Sequence, residues 1–468
     1  MKPSKAVVTT IFVLATFVRL LDITIVTVAL PAIGADLEVP GSATAAVVVS
    51  YLVGMCLLMP AAGRLGDRFG DRAVFLPAIA VFTVASVLCG TADSLVELVV
   101  MRFFQGLGGG LSGPVGLAML MRAYPGEQRA TAVRISTLPI ALAPMLGAAA
   151  GGVLITVLSW QWVFYVNAPV GVVVFVLGLL ALGPSERRDT GRFDGAGLVL
   201  SAVGFTGVML ALTRGASGGW GEPVVWIAGV VGVGALAALV RVELTAGSPL
   251  IDVRLLGRGT FRTMSLAILL LTAGYLGVQY TFPLLYQTAL GHTAFVTGLL
   301  TLPLPVGIVV GAQLAPALGR RLGLRRALVT AYLTFAAGSL LLGLNGAGSV
   351  EAVIVAEMFC LGVAQAVGFN LAQAAMFQDV SGERTGSASS VFNVTLQVGG
   401  ALGVALLSGV LAVAGPVRED GLPDVAAYQA SAMAVAVWAV AAAAVVAFSR
   451  RTGTATPAPA EERGTASA

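Results

Sequence analysis

The chain of 468 residues is 57% hydrophobic and only 11% charged, with a formal net charge of +4. A soluble domain carries about 25% charged residues, so this composition excludes an ordinary globular protein and describes one built of membrane spans. The weak positive balance gives no footing for nucleic-acid binding, and the single histidine excludes a multi-histidine metal centre. Three cysteines, all in apolar runs, give no disulfide framework.

The first apolar stretch, 7–33, is long enough to cross a bilayer, yet its middle holds Arg19 and Asp22. Lys2 and Lys5 precede it as they would a secretory leader. The stretch is too long for one, is charged, and ends at Pro31 without a small-residue cleavage site, so it is expected to remain as the first span. A mid-membrane carboxylate costs about 2.5–3.5 kcal/mol on insertion scales. Asp22 is therefore expected to face a cavity and to carry a proton or bind a cation. A second reading stands beside it. Arg19 lies about 60° away around the helix, where it could hold Asp22 as a permanent structural pair or snorkel to the membrane edge and modulate it.

Thirteen further apolar runs follow, at roughly 43–63, 74–92, 95–120, 132–157, 163–184, 196–213, 222–241, 263–285, 297–318, 327–345, 350–376, 387–413 and 429–449. Between the second and third, Gly63-Arg64-Leu65-Gly66-Asp67-Arg68-Phe69-Gly70-Asp71-Arg72 reads as a tight loop, with glycines at its turns and Asp67 free to pair with an arginine. Such a pair would be a latch that breaks as the molecule rocks. The fourth span carries Arg102 about eight residues in, with Gln105 three residues on and on the same face. The fifth has Pro144, a possible kink, and Gly147 and Gly151, a small-xxx-small pair. Glu357, about seven residues into the twelfth span, is the other deep acid and a second candidate proton site. Tyr51, Tyr280 and Gln105 are candidates to line a pocket for an amphiphile.

The basic residues orient the chain. With the N-terminus inside, the inner loops collect all the loop arginines except Arg214 and Arg418. An internal repeat supports this map: Leu65-Gly66-Asp67-Arg68-Phe69-Gly70-Asp71-Arg72 is echoed by Leu318-Gly319-Arg320-Arg321-Leu322-Gly323-Leu324-Arg325. Both would join the second and third spans of a six-span set, as in transporters with two related halves. The expected organisation is a six-helix bundle over 1–184, a linker with two extra spans over 185–259, a second six-helix bundle over 260–450, and a disordered cytoplasmic tail over 451–468.

Three motifs converge on one family. The 63–72 segment resembles the signature loop of the major facilitator superfamily. The first-span sequence from Leu21-Asp22 to Leu30-Pro31 is similar to the signature of that superfamily's drug:proton antiporters, in particular the fourteen-span branch. Arg102-Phe103-Phe104-Gln105-Gly106-Leu107-Gly108 resembles its R-x-x-Q-G-x-G motif. Ala143-Pro144-Met145-Leu146-Gly147 with Gly151-Gly152 is a degraded form of the exporters' G-P-x-x-G-G motif. Trp160-Gln161-Trp162 followed by Asn167-Ala168-Pro169-Val170-Gly171 resembles the branch's W-R-W…N-x-P-x-G segment, with Gln161 in place of arginine; Thr27 likewise replaces an asparagine.

The resemblance implies an all-α polytopic fold of fourteen spans, two six-helix bundles and two extra central helices. It also implies a proton-coupled antiporter exporting hydrophobic or cationic drugs or antibiotics across the plasma membrane of a bacterium. Asp22 and Arg102 would serve proton coupling; by its depth in the membrane rather than by the resemblance, Glu357 would join them, and Arg19 by its position would modulate Asp22. Gly63, Gly66, Asp67, Arg68, Gly70 and Arg72 would form the gating loop, and Pro144, Gly147 and Gly151 the conformational motif. The partners would be a lipophilic small molecule, protons and the bilayer. The protein would be monomeric, with both termini cytoplasmic, no metal, and no cofactor beyond the proton gradient. A facilitator or proton symporter for a small metabolite is the first rival, though the spans are poor in Asn, Gln and His. A membrane-embedded enzyme is disfavoured, because the chain has no nucleophile elbow, phosphate loop or clustered metal ligands.

Overall fold

The computed structural model of the protein describes residues 4–124, 128–183, 195–216, 221–245, 253–345, 350–378, 380, 385–414 and 425–449. They form α1 (Lys5–Asp36), α2 (Ala45–Phe69), α3 (Asp71–Gly90), α4 (Leu95–Ala123), α5 (Gln128–Val157), α6 (Trp162–Tyr165), α7 (Asn167–Ala181), α8 (Gly195–Ala216) and α9 (Pro223–Thr245). Then come α10 (Gly259–Leu284), α11 (Ala294–Thr301), α12 (Pro303–Leu322), α13 (Leu324–Leu344), α14 (Glu351–Gln378), α15 (Thr385–Ala414) and α16 (Val425–Phe448). No strand occurs among the described residues. The tail over 451–468 lies outside them.

Sixteen helices make fourteen rods, because two spans are broken where a proline removes a backbone donor. Pro169 leaves the Tyr165 carbonyl without its helical partner, separating α6 from α7, and Pro303 does the same to Leu299 between α11 and α12. Twelve rods are long and apolar enough to cross a membrane. The other two are α4, diluted by glycine and carrying Glu97, Arg102 and Arg122, and α5. Local signals set several starts: Ser4 accepts from the Val7 N–H, Ser94 from Glu97 and Thr293 from Val296, each as a helix cap.

The expected loop between the second and third spans is a correction to the hydropathy reading. α2 runs through Phe69 and α3 begins at Asp71, so the whole connection is Gly70, at φ 89° and ψ 140°. A positive φ is strained for any residue with a Cβ, which explains the glycine. The repeat holds at the same place: Gly323, at φ 78° and ψ 148°, is the single residue between α12 and α13.

Helices α1–α7 pack as one bundle and α10–α16 as another, while α8 and α9 pair with each other and α8 rests on α2 and α15. The two bundles share a close crossing. A Cβ on Gly106 of α4 would lie 2.2 Å from the Tyr51 carbonyl oxygen of α2, and one on Gly54 would lie 2.3 Å from that of Phe103. In the second bundle a Cβ on Gly362 of α14 would lie 2.0 Å from the Leu304 oxygen, and one on Gly307 would lie 2.2 Å from that of Phe359. Backbones touch directly at both crossings, as glycine allows in lipid.

The bundles meet at the end of the molecule away from the N-terminus, the far end. There the Tyr280 hydroxyl donates to the carbonyls of Gly41 (2.8 Å) and Ser42 (3.3 Å), and Gln287 Nε2 donates to that of Val28 (3.0 Å). α15 of the second bundle also packs along α2 of the first, and α5 is a further bridge. Gly147 and Gly151 seat it on α1, against Thr24 and Ile25, while Ala148 and Gly152 face Gly298 and Ala294 of α11. Pro144 is half-buried on the same helix.

Candidate functional site

Five helices of the first bundle converge on Asp22. α1 is apolar and buried around it, and the nearby hydroxyls are spent on their own helix: Thr24 donates to the Leu21 carbonyl and Thr27 to that of Thr24. Asp22, with no exposed surface, must therefore find its donors elsewhere. It finds them on α4 and α7. Arg102 Nη1 donates to Oδ2 at 2.6 Å, while Gln105 Nε2 at 2.9 Å and Asn167 Nδ2 at 2.7 Å donate to Oδ1.

Neighbouring polar groups and aromatic rings hold these donors in place. Ser86 of α3 accepts from both Gln105 (3.1 Å) and Asn167 (3.0 Å), and donates to the Phe164 carbonyl at 2.9 Å. Arg102, 1% exposed, also donates through Nη1 to Gln105 Oε1 (2.8 Å) and through Nε to the Val47 carbonyl of α2 (3.2 Å). Its guanidinium lies 4.3 Å from the centroid of the Tyr51 ring and 5.7 Å from that of Phe164. Aromatic faces thus shield the ion pair from lipid and attract the cation. Spacing on α4 makes this possible: Arg102 and Gln105, one turn apart, share a face.

The structure brings Asp22, Arg102, Gln105 and Tyr51 together. It does not make the Arg19–Asp22 pair that the sequence left open: the cation on Asp22 is Arg102, from α4. Arg19 turns instead toward Gly109 and Gly113 of α4. Glu357 lies apart, in the second bundle, where Oε2 accepts from Asn345 Nδ2 at 2.6 Å. Tyr280 is wholly buried in the far-end closure and does not line an open pocket.

The residues of the expected gating loop form a one-residue turn with its own clamp. Arg122, at the end of α4, donates to Asp67 Oδ1 at 2.6 Å and also to Asp71, so it straddles the Gly70 turn. Gly66 leaves room for the Asp71 carboxylate, since a Cβ there would lie 3.0 Å from Oδ1. Arg72 Nη2 donates to the Leu179 carbonyl at 2.9 Å, Arg68 sits over the Phe69 ring, and Gly63 has open space beside it. Asn167, Ser86, Asp71 and Arg122 are the residues that sequence reasoning passed over. Asn167 was visible as part of the N-x-P-x-G segment but without a role, Ser86 only as a polar residue within an apolar run, and Arg122 only as another basic residue at a span end.

A buried charge network inside one of two related bundles of apolar spans defines a polytopic membrane transport protein. The chain matches the family profile described as Major Facilitator Superfamily over residues 12–404, with a further match over 264–468. It belongs to that superfamily. A protein of Klebsiella pneumoniae carrying the multidrug resistance name MdtD is 33% identical over 404 residues, spanning 85% of this chain and 84% of the relative. MdtD of Escherichia coli O9:H4 is 31% identical over 409 residues, covering 85% and 84%. Among solved structures, the POT family transporter PepTSo superposes with a TM-score of 0.67 at 16% identity, covering 94% of this chain and 97% of that one. The D-xylose-proton symporter gives 0.66 at 16%, covering 95% and 98%. At that identity the structures share the fold. The chain is a multi-pass membrane transporter of small molecules.

Proposed function

We propose that this protein exports lipophilic drug-like molecules in exchange for protons, by alternating access across a bacterial plasma membrane, as a monomer with both termini in the cytoplasm and no bound cofactor. The carrying observation is the enclosure of Asp22 by three donors from two other helices. A carboxylate only accepts; a proton on either oxygen turns that oxygen into a donor and costs the site one partner. Asn167 Oδ1 is buried without a hydrogen-bond partner, so turning its amide would present an acceptor to the new O–H. Protonation would thereby loosen the Arg102–Asp22 tie between α1 and α4, the helices on which the bundle would rock. The closed far end and the Gly70 hinge are the parts that would alternate. The MdtD relatives carry a multidrug resistance name, which supports a lipophilic substrate.

Reconstitution in liposomes with an imposed pH gradient tests the reading. A lipophilic fluorophore should move against the direction of proton flow with the wild-type protein and cease to respond to the gradient with Asp22→Asn. Movement in the same direction as the protons would make the protein a symporter and contradict the proposal.

A further inference from the structure

Charge counting around Asp22 leaves one cation over. Arg102 and Asp22 neutralise each other, and both carboxylate oxygens are taken by Arg102, Gln105 and Asn167. Arg19, one turn closer to the N-terminus on α1, pairs with no acid among the described residues. Its Nε is buried without a hydrogen-bond partner, and so is the hydroxyl of Tyr51, a residue only 1% exposed. Two unsatisfied donors in the interior of a membrane protein each carry a desolvation cost, and a lone guanidinium the larger one.

The two groups converge. A Cβ on Gly109 would lie 3.1 Å from the Tyr51 hydroxyl and 3.5 Å from Arg19 Cδ. One turn on, a Cβ on Gly113 would lie 3.5 Å from Arg19 Cζ and 3.6 Å from its Nε. The absent side chains leave a bare strip of α4 backbone beside a planar fork of donors and a phenol. That chemistry suits an oxyanion, which takes two parallel bonds from a guanidinium.

We infer that Arg19 and Tyr51 form a subsite for the acidic group of the substrate, so that the transported molecules are lipophilic acids. The inference rests on the exporter reading and narrows its substrate class. Lipophilic cations, which the family resemblance also admits, meet an uncompensated positive charge here. Tyr51 also joins the subsite to the proton network, since its ring lies against Arg102 while its hydroxyl faces the Arg19 strip. An anion drawing on Arg19 and Tyr51 thus acts on the side chain that packs against the partner of Asp22.

The test uses the full chain in lipid nanodiscs and three fluorescent probes: dansyl-leucine, an anion; its methyl ester, neutral; and dansylated pentanediamine, a cation. The wild-type protein should bind dansyl-leucine at least about ten-fold more tightly than the ester, and the cation weakest. Arg19→Gln should remove the acid preference while leaving ester binding intact; Arg19→Lys should keep part of it, and Tyr51→Phe should reduce it several-fold. Thermal unfolding reports whether each variant is folded, and should Arg19→Gln fail to fold, Arg19→Lys and Tyr51→Phe decide. Equal or absent binding of the acid, or a preference unchanged in the folded variants, overturns the subsite. Gradient-driven movement of dansyl-leucine in liposomes reads the exporter function separately. Its absence with the acid preference in binding intact would overturn the exporter reading and leave the anion subsite standing.

Discussion

Asp22 and Arg102 are each tolerable in the membrane only because of the other. Breaking a buried ion pair from one side leaves an uncompensated charge, typically at about 3–5 kcal/mol. Arg102→Ala should therefore lower unfolding stability by about that amount, and the double variant Asp22→Asn/Arg102→Ala should recover most of the loss, in a denaturant double-mutant cycle. Independent, additive losses would mean that the two side chains do not act as a pair. Asn167→Ala removes one hydrogen bond to a charged group, worth about 1.5–3 kcal/mol. In the proposed cycle it should also lower the protons exchanged per substrate, because the acceptor waiting for the protonated acid is gone. At this scale the sequence was partly legible. Asp22, Arg102 and Gln105 stood out because polar residues in apolar runs are costly. Their partners did not, since Ser86 and Asn167 lie on α3 and α7 and reach Asp22 only through the bundle's packing. Arg19 was the natural partner by spacing along one helix, yet Arg102 of α4 occupies that place.

Among the elements, the glycines separate into those that carry contacts and those that do not. Gly106 crosses α2 with no room for a methyl group, so Gly106→Ala should greatly reduce folded yield, and Gly362→Ala should do the same in the second bundle. Gly63 has open space beside it within α2; Gly63→Ala should be neutral or stabilise by about 0.5–1 kcal/mol through lost backbone freedom. Thermal unfolding of the purified variants distinguishes these outcomes, and equal effects at positions 63 and 106 would refute the close crossing. Apolar runs located the rods well because hydropathy reports the part of a helix that faces lipid. They placed the ends poorly, since α2 and α12 continue as helix through charged turns that lie beyond the apolar core. That is why ten residues read as a loop form a helix end, one glycine and a helix start.

For the whole molecule, the far end is closed by bonds between the bundles. Tyr280→Phe removes the hydroxyl that holds Gly41 and Ser42. It should raise the reactivity of a cysteine placed at Val39 toward a water-soluble maleimide several-fold, reporting a larger share of far-end-open molecules; an unchanged rate would show that the closure does not depend on this tie. The two-bundle plan could be read from the repeat of Leu65–Arg72 at Leu318–Arg325, and the positive-φ glycine turns at 70 and 323 give that repeat its physical meaning. Charge at these turns breaks the symmetry. Asp67 and Asp71 flank the first and are clamped by Arg122, whereas Arg320 and Leu324 stand in the corresponding places at the second.

The central claim is that one proton leaves Asp22 when substrate enters. Proton release from purified protein in weakly buffered solution, on addition of a lipophilic substrate, measures it directly. The wild-type protein should acidify the solution in proportion to substrate bound, and Asp22→Asn should bind without releasing protons. Equal release from both would remove Asp22 from the coupling step and turn attention to Glu357.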